Sequence, residues 1–167
     1  MNKCRGNAVG GMELHGEVSS GLGRAHVFMA QSHYQDQFRG ILGGTAWPGT
    51  LNIKVSDEDL TQYLALRQKA GIDTLDATDE RRNKAQAIDT SNIEALRIRG
   101  FLREGRSFGG ATAFKAQIGT EDMDHIECAI LIPDLTRHVE VIEVIAEVFL
   151  RETLDLIDGN RVSLNLV

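Results

Sequence analysis

Two short stretches of this chain hold residue types that could do chemistry. In Pro48-Gly49-Thr50-Leu51-Asn52, a hydroxyl and an amide stand two apart at the start of a strand. Both side chains therefore face one way and Leu51 the other. Their oxygens are hard, neutral donors that could complete a Mg²⁺ shell whose charge is neutralised mainly by substrate phosphates. The same two residues could instead satisfy backbone groups of the turn. In Ser20-Gly21-Leu22-Gly23, followed by Arg24, the glycines would let successive backbone N–H groups converge on phosphate oxygens. A glycine-rich β-turn with no ligand is the plainer alternative. Other chemistries lack their residues. The chain has no GxxxxGK[ST], no GxSxG and no HExxH. His15, His26, His33, His125 and His138 show no metal-ligand spacing and read as surface or structural residues. Cys4 and Cys128 have no CxxC partner, which argues against a disulfide framework and a cysteine zinc site.

Composition narrows the partners. Eighteen Lys and Arg against 24 Asp and Glu leave a formal charge of −6, unsuited to a protein whose main partner is nucleic acid. Aromatic residues are 5%, too few for a single-strand stacking platform. No apolar run approaches the roughly 18 residues of a membrane span, and the first six residues lack the apolar core of a signal peptide. The expectation is an acidic, cytoplasmic protein with no membrane segment, no nucleic-acid partner and no obligate protein partner, one domain over residues 1–167. Its 17 glycines cluster rather than spread, which points to tight turns and close backbone approach.

The elements that must position these residues follow from hydrophobic period. Met12, Leu14, Gly16 and Val18 alternate with Glu13, His15 and Glu17 as a half-buried strand, and Val27-Phe28-Met29 reads as extended. Tyr34, Phe38, Ile41 and Leu42 mark a short helix ending at Gly43-Gly44. Leu51, Ile53 and Val55 give a strand. Ser56 and Asp59 resemble a capping box for a helix that buries Leu60, Tyr63 and Leu64 and ends near Gly71. Residues 73–92 read as a polar, mobile insert, partly helical. Leu96 to Leu102 and Thr112 to Ile118 alternate about a Glu104-Gly105-Arg106 turn as a hairpin, with Arg97, Arg99 and Arg103 on one solvated face. Ile126–Ile132 is a strand stopped by Pro133. Val139–Phe149 suits a strand, though its charge spacing would also suit a helix. Leu150, Leu154 and Ile157 suit one or two helical turns, and Asp158-Gly159 turns the chain into a last strand through Val162, Leu164 and Leu166. Six or more strands with short helices do not make βαβ units; the expected class is all-β with short helices, a small closed barrel.

Taken in series, these segments resemble the archaeal CTP-dependent riboflavin kinases. The resemblance is carried by Gly16-x-x-x-Ser20-Gly21-Leu22-Gly23, Pro48-Gly49-Thr50-Leu51-Asn52 and Gly105-Arg106-x-Phe108-Gly109-Gly110. Ile132-Pro133 with Thr136, Ile142-Glu143-Val144-Ile145-Ala146, Leu150-Arg151 and Asp158-Gly159-Asn160-x-Val162 complete it. It implies a six-stranded cradle-loop β-barrel and the reaction riboflavin plus CTP to FMN plus CDP, with Mg²⁺. By resemblance, Gly21, Leu22, Gly23, Arg24, Ala25 and His26 form a first CTP/CDP segment and Val148, Phe149, Leu150 and Arg151 a second. Thr50 and Asn52 would hold the metal. Thr136 and Glu143 would contact riboflavin or FMN, and Glu143 would orient the reacting hydroxyl. Where the family usually continues GLG with an acidic residue and a glycine, this chain has Arg24-Ala25. A barrel that binds flavin or nucleotide without turnover is the alternative reading.

Overall fold

The computed structural model describes residues 11–21, 29–72, 77–122, 125–136 and 140–167. Its strands are β1 (Glu13–Ser19), β2 (Leu51–Val55), β3 (Leu96–Ile98), β4 (Phe101–Arg103), β5 (Arg106–Phe108), β6 (Ala111–Gly119), β7 (Ile126–Pro133), β8 (Val141–Ile145) and β9 (Arg161–Leu166). Its helices are α1 (Ser32–Leu42), α2 (Leu60–Lys69), α3 (Asp79–Gln86) and the single turn α4 (Leu150–Thr153). The order β6-β7-β8-β2-β1-β9 is antiparallel throughout and closes through a β9–β6 pairing, so six strands make a complete barrel with no free edge. β3 adds to the other half of β6, pairing Leu96 with Ala113 and Ile98 with Ala111.

Period-two alternation splits the wall into two faces. Leu14 and Val18 of β1, Leu51, Ile53 and Val55 of β2, Ile130 and Ile132 of β7, and Val162 and Leu164 of β9 point inward into one core. Tyr63 and Leu66 of α2 and Leu150 of α4 complete that core, together with Leu154 and Leu156 beyond it. The outer face of β3, β6, β7 and β8 is apolar as well, through Ile98, Ala111, Ala113, Leu131 and Ile145. It is covered by Tyr34 and Phe38 of α1, so the barrel carries a second, external hydrophobic layer. Gln35 orders this layer. Its buried amide donates to the carbonyls of Met29 (2.8 Å) and Ala46 (3.0 Å), and its oxygen accepts from the Ala46 N–H (2.9 Å).

The strands and the helix ending at Gly43 (φ 91°) lie where the hydrophobic period places them, and the ambiguous Val139–Phe149 stretch contains a strand. Each departure has an identifiable cause. The 96–118 hairpin is bent rather than straight: β4–β5 keeps the register of β3–β6 (101 with 108, 96 with 113) but breaks from it at Arg99-Gly100 and Gly109-Gly110. A side chain at Gly100 would strike the Phe108 carbonyl, so the chains can cross there only without a Cβ. Ser56 makes no cap bond to the helix backbone; Asp59 instead accepts from the His15 N–H (2.8 Å) and pairs with His15 Nδ1 (2.8 Å). Leu156 rather than Ile157 is buried, because Asp155 adopts φ +53° and resets the phase after α4. Met29, the described member of the Val27-Phe28-Met29 stretch, is helical rather than extended; the other two lie outside the described residues. Within 73–92, residues 77–92 contain α3, whose first turn is capped by Thr78 accepting from the Arg81 N–H (3.2 Å). Ala85 packs it on Leu64 and Ala65 of α2.

Candidate functional site

The outward-facing side chains of four neighbouring strands bring the candidate residues together. Asn52 of β2 stands opposite Glu143 of β8, and Glu143 stands opposite Leu131 of β7. On its other side Asn52 faces Ser19 of β1. Directly opposed residues share a face. One row therefore crosses the barrel wall from an apolar residue through a carboxylate and an amide to the end of β1, where the glycine loop begins. Thr50 precedes β2 on the same face and donates to Asn52 Oδ1 at 3.1 Å. Gly21 closes over this pair: a Cβ there would run into the Asn52 amide, so the loop approaches Asn52 as closely as backbone allows.

Two concavities open on either side of Thr50. The larger, about 330 Å³, lies between α1, the bent hairpin and the outer barrel wall. Tyr34, Phe38, Ile98, Phe108 and Leu131 make it mainly apolar, and Thr50 and Glu143 also line it. Its roof is rigidly tied. Phe101 stacks on Phe108 (4.7 Å) and meets Tyr34 edge-on (5.1 Å). The Tyr34 hydroxyl donates to the Gly109 carbonyl at 2.5 Å, and burial raises its pKa, keeping it a donor. At the rim, Arg97 of β3 makes a two-pronged ion pair with Asp134, one prong 2.6 Å, and Asp134 lines the cavity. Arg97 is solvent-exposed, as its place in the arginine series predicts, but it is also ion-paired. Arg99 lies at the bend, its backbone held by Gln37 of α1 (2.7 and 3.0 Å), and Arg103 sits apart on β4.

The smaller concavity is a cleft lined by Thr50, Val148, Phe149, Leu150 and Arg151. Trp47 stacks on Phe149 at 4.2 Å and lies against Gly49, where a Cβ would meet its ring. Arg151 donates to Asp158 Oδ1 (2.8 Å) and to the Ser19 carbonyl (3.2 Å). The Ser20 hydroxyl donates to the other Asp158 oxygen. These bonds, from Ser20 first and then from Arg151, hold the Asp158 carboxyl below the usual carboxylate range.

Thus Gly21, Thr50, Asn52, Glu143 and Val148, Phe149, Leu150 and Arg151 converge on one stretch of wall. Thr136 follows the cavity rim, its N–H bonded to the Pro133 carbonyl (3.2 Å), and is not among the lining residues. Leu22, Gly23, Arg24, Ala25 and His26 lie outside the described residues. Sequence reasoning gave no site role to Trp47, the Arg97–Asp134 pair, or Phe108 and Asp158, although the last two stand in the motifs that carry the resemblance. The chain's one Trp beside Pro48-Gly49 and an Asp before Gly159 were the available signals. Among the described residues no group of three or more His, Cys, Asp or Glu could hold a metal. Thr50 Oγ1 and Asn52 Oδ1, at 3.1 Å, are close to the roughly 2.9 Å between adjacent oxygens around a Mg²⁺ with 2.0–2.1 Å bonds, so the pair fits that ion. No helix among the described residues is long and apolar enough to cross a membrane.

Known proteins match over most of the chain. The CTP-dep_RFKase family, described as "Domain of unknown function DUF120", matches residues 18–90 and 73–166. The protein named riboflavin kinase in Thermoplasma acidophilum is 33% identical over 153 residues, 92% of this chain and 56% of the relative. Its namesake in Archaeoglobus fulgidus is 33% identical over 159 residues, 95% of this chain and 56% of the relative. That of Pyrococcus furiosus is 35% identical over 148 residues, 88% and 55% respectively. The chain spans a little over half the length of these curated relatives.

Proposed function

The chain belongs to the CTP-dep_RFKase family, and we propose on that premise that its barrel transfers the γ-phosphoryl group of CTP to the riboflavin 5′-hydroxyl, giving FMN and CDP. The observation that carries this reading is Thr50, which lines both concavities. An apolar cavity of about 330 Å³ suits a flat heteroaromatic ring. The cleft beside Arg151 suits a polyphosphate, because a guanidinium fork matches phosphate oxygens. Donor and acceptor would then meet at Thr50, Asn52 and Glu143.

Phosphoryl transfer passes through a loose transition state, so the protein's contribution is mostly in-line positioning. The cavity between α1 and the hairpin would hold the flavin ring, with the ribityl chain running towards Glu143. Glu143 would accept a hydrogen bond from that chain and orient the 5′-hydroxyl; Thr136 would contact the flavin from the rim. The hydroxyl oxygen forms the new bond to the γ-phosphorus and gives up its proton to water as the bond to the β-phosphate oxygen breaks and CDP leaves. Gly21, with Leu22, Gly23, Arg24, Ala25 and His26, would cradle phosphates through backbone N–H groups, and Val148, Phe149, Leu150 and Arg151 would flank the nucleotide. Thr50 and Asn52 would hold Mg²⁺, which when bound neutralises phosphate charge. The reaction is cytoplasmic in this reading, carried by one barrel domain without a protein partner.

The test is incubation of the purified protein with riboflavin, Mg²⁺ and each nucleoside triphosphate in turn, with FMN scored by chromatography. FMN with CTP is expected. Tight flavin binding without product under any triphosphate would make the barrel a binding module instead.

A further inference from the structure

The two segments flanking the cleft, the entry to the glycine loop and α4, are joined by one side chain for which the family resemblance implies no role. Asp158 Oδ1 accepts from Arg151 Nη2 at 2.8 Å, and its Oδ2 accepts from the Ser20 hydroxyl. The same Arg151 nitrogen donates to the Ser19 carbonyl at 3.2 Å. The turn that bears Asp158 is fixed to β1 from both sides: the Gly159 N–H donates to the Val18 carbonyl (2.8 Å) and the Val18 N–H to the Asn160 carbonyl (2.9 Å). The Asn160 side chain accepts from the Ile157 N–H at 2.8 Å and closes the turn on itself.

We infer that Asp158 is a positioning residue for the nucleotide, acting through Arg151 and Ser20; the inference rests on the reading of the cleft as the CTP side. Three observations support it. Arg151 and Asp158 are 31% and 53% exposed, and ion pairs so exposed contribute little to stability, so this one is poorly explained as a fold-holding contact. Both hydrogens of Arg151 Nη2 are engaged, by Asp158 and by the Ser19 carbonyl, which fixes the guanidinium plane. The remaining N–H groups, on Nε and Nη1, have no partner among the described residues and suit an anion. Finally, the hydrogen bonds that lower the Asp158 pKa keep the carboxylate ionised through the neutral range, so the clamp stays set at working pH. Without it, Arg151 regains its side-chain rotamers and Ser20 loses its tether at the start of the loop.

The experiment is a double-mutant cycle read by calorimetric titration with CTP and Mg²⁺, beside riboflavin titration and thermal melting. Asp158→Ala is expected to raise the CTP Kd about tenfold, to leave the riboflavin Kd unchanged and to shift Tm by no more than a few degrees. In an Arg151→Ala background the same change should alter the CTP Kd less than about twofold, because the residue it positions is gone. Asp158→Asn loses the charge but can still accept from Arg151 and donate its amide to the Ser20 oxygen. It should therefore weaken CTP binding less than Asp158→Ala, yet by more than about twofold, and it serves as the second variant should the alanine form fold poorly. An unchanged CTP Kd in both variants, an equal loss in both backgrounds, or a parallel loss of riboflavin affinity would overturn the inference. Absence of CTP binding by the unchanged protein would overturn the cleft assignment beneath it, and the inference with it.

Discussion

Removal of the Thr50 hydroxyl separates a chemical role from a structural one. Thr50→Val keeps the shape of the side chain, so no cavity forms, and deletes one hydrogen bond, the 3.1 Å contact to Asn52 Oδ1. A half-buried neutral hydrogen bond contributes about 1 kcal/mol, which for a chain of 167 residues lowers Tm by about 2–4 °C. If Thr50 is one of two protein oxygens stabilising the charge that develops during transfer, its loss resembles removal of an oxyanion donor. The rate should then fall roughly 10²- to 10³-fold, or about 2.7–4 kcal/mol. Asn52→Ala should behave alike: it removes the acceptor of that bond and the amide against which Gly21 packs. The assay is FMN formation at saturating riboflavin and CTP, with Tm measured on the same preparations. A His26→Ala control should lose less, because its loop is proposed to act through backbone. Turnover within a fewfold of normal in both Thr50→Val and Asn52→Ala would refute the metal assignment and the site built around it.

Calorimetry without nucleotide should show no binding at submillimolar Mg²⁺, since Thr50 and Asn52 carry no charge and Mg²⁺ gives up its waters reluctantly; a tight site in the free protein would point to carboxylate ligands. Gln35→Ala should destabilise the fold by about 3 kcal/mol, because it strands three buried backbone partners at Met29 and Ala46, and a urea midpoint near normal would contradict this. Tyr63 donates to the Val141 carbonyl at 3.0 Å, and its pKa is pushed up to about 12, chiefly by burial and against the opposing effect of Arg67. Its folded-state pKa lies above the unfolded value near 10, so this contribution is complete below pH 10 and is lost as pH rises towards 12. The loss, about 2–3 kcal/mol, is readable as a fall in urea midpoint that is reduced in Tyr63→Phe. Brief trypsin treatment should cut after Arg81, Arg82 or Lys84 before any site in residues 95–118, because α3 is fastened to α2 mainly through Ala85.

Much of the barrel was legible from period alone. Strands such as Leu51-Ile53-Val55 and Val162-Leu164-Leu166 alternate because one face must be dry, and that requirement is written locally in residue type. Helix ends at Gly43 and Gly71, both at positive φ, were legible for the same reason: conformations of that kind favour glycine over other residues. The Thr50–Asn52 pairing was legible too, since spacing two apart on a strand fixes a common face. Other features depend on partners distant in the chain. Asp59 looked like a capping residue, yet its carboxylate is taken by His15, 44 positions earlier, and a local capping pattern cannot show that competitor. Arg97 is solvated as its pattern suggests, but its pairing with Asp134, 37 positions on, needed β3 and the end of β7 to meet. Ile157 fitted a helical repeat, but Asp155 at φ +53° shifted the phase and buried Leu156. The row Leu131–Glu143–Asn52–Ser19 is a cross-strand register, set by barrel closure and not by any short-range pattern. So is the external apolar layer: Ala111, Ala113 and Leu131 occupy what would be a solvent face in an uncovered strand, and only the packing of α1 and the bent hairpin turns that face into a cavity. Residue type and spacing alone marked the candidates for metal and phosphate, because donor type and face parity are local properties. Their convergence at Thr50 was decided by tertiary structure, because register and layer packing sum contacts between residues up to a hundred or more positions apart.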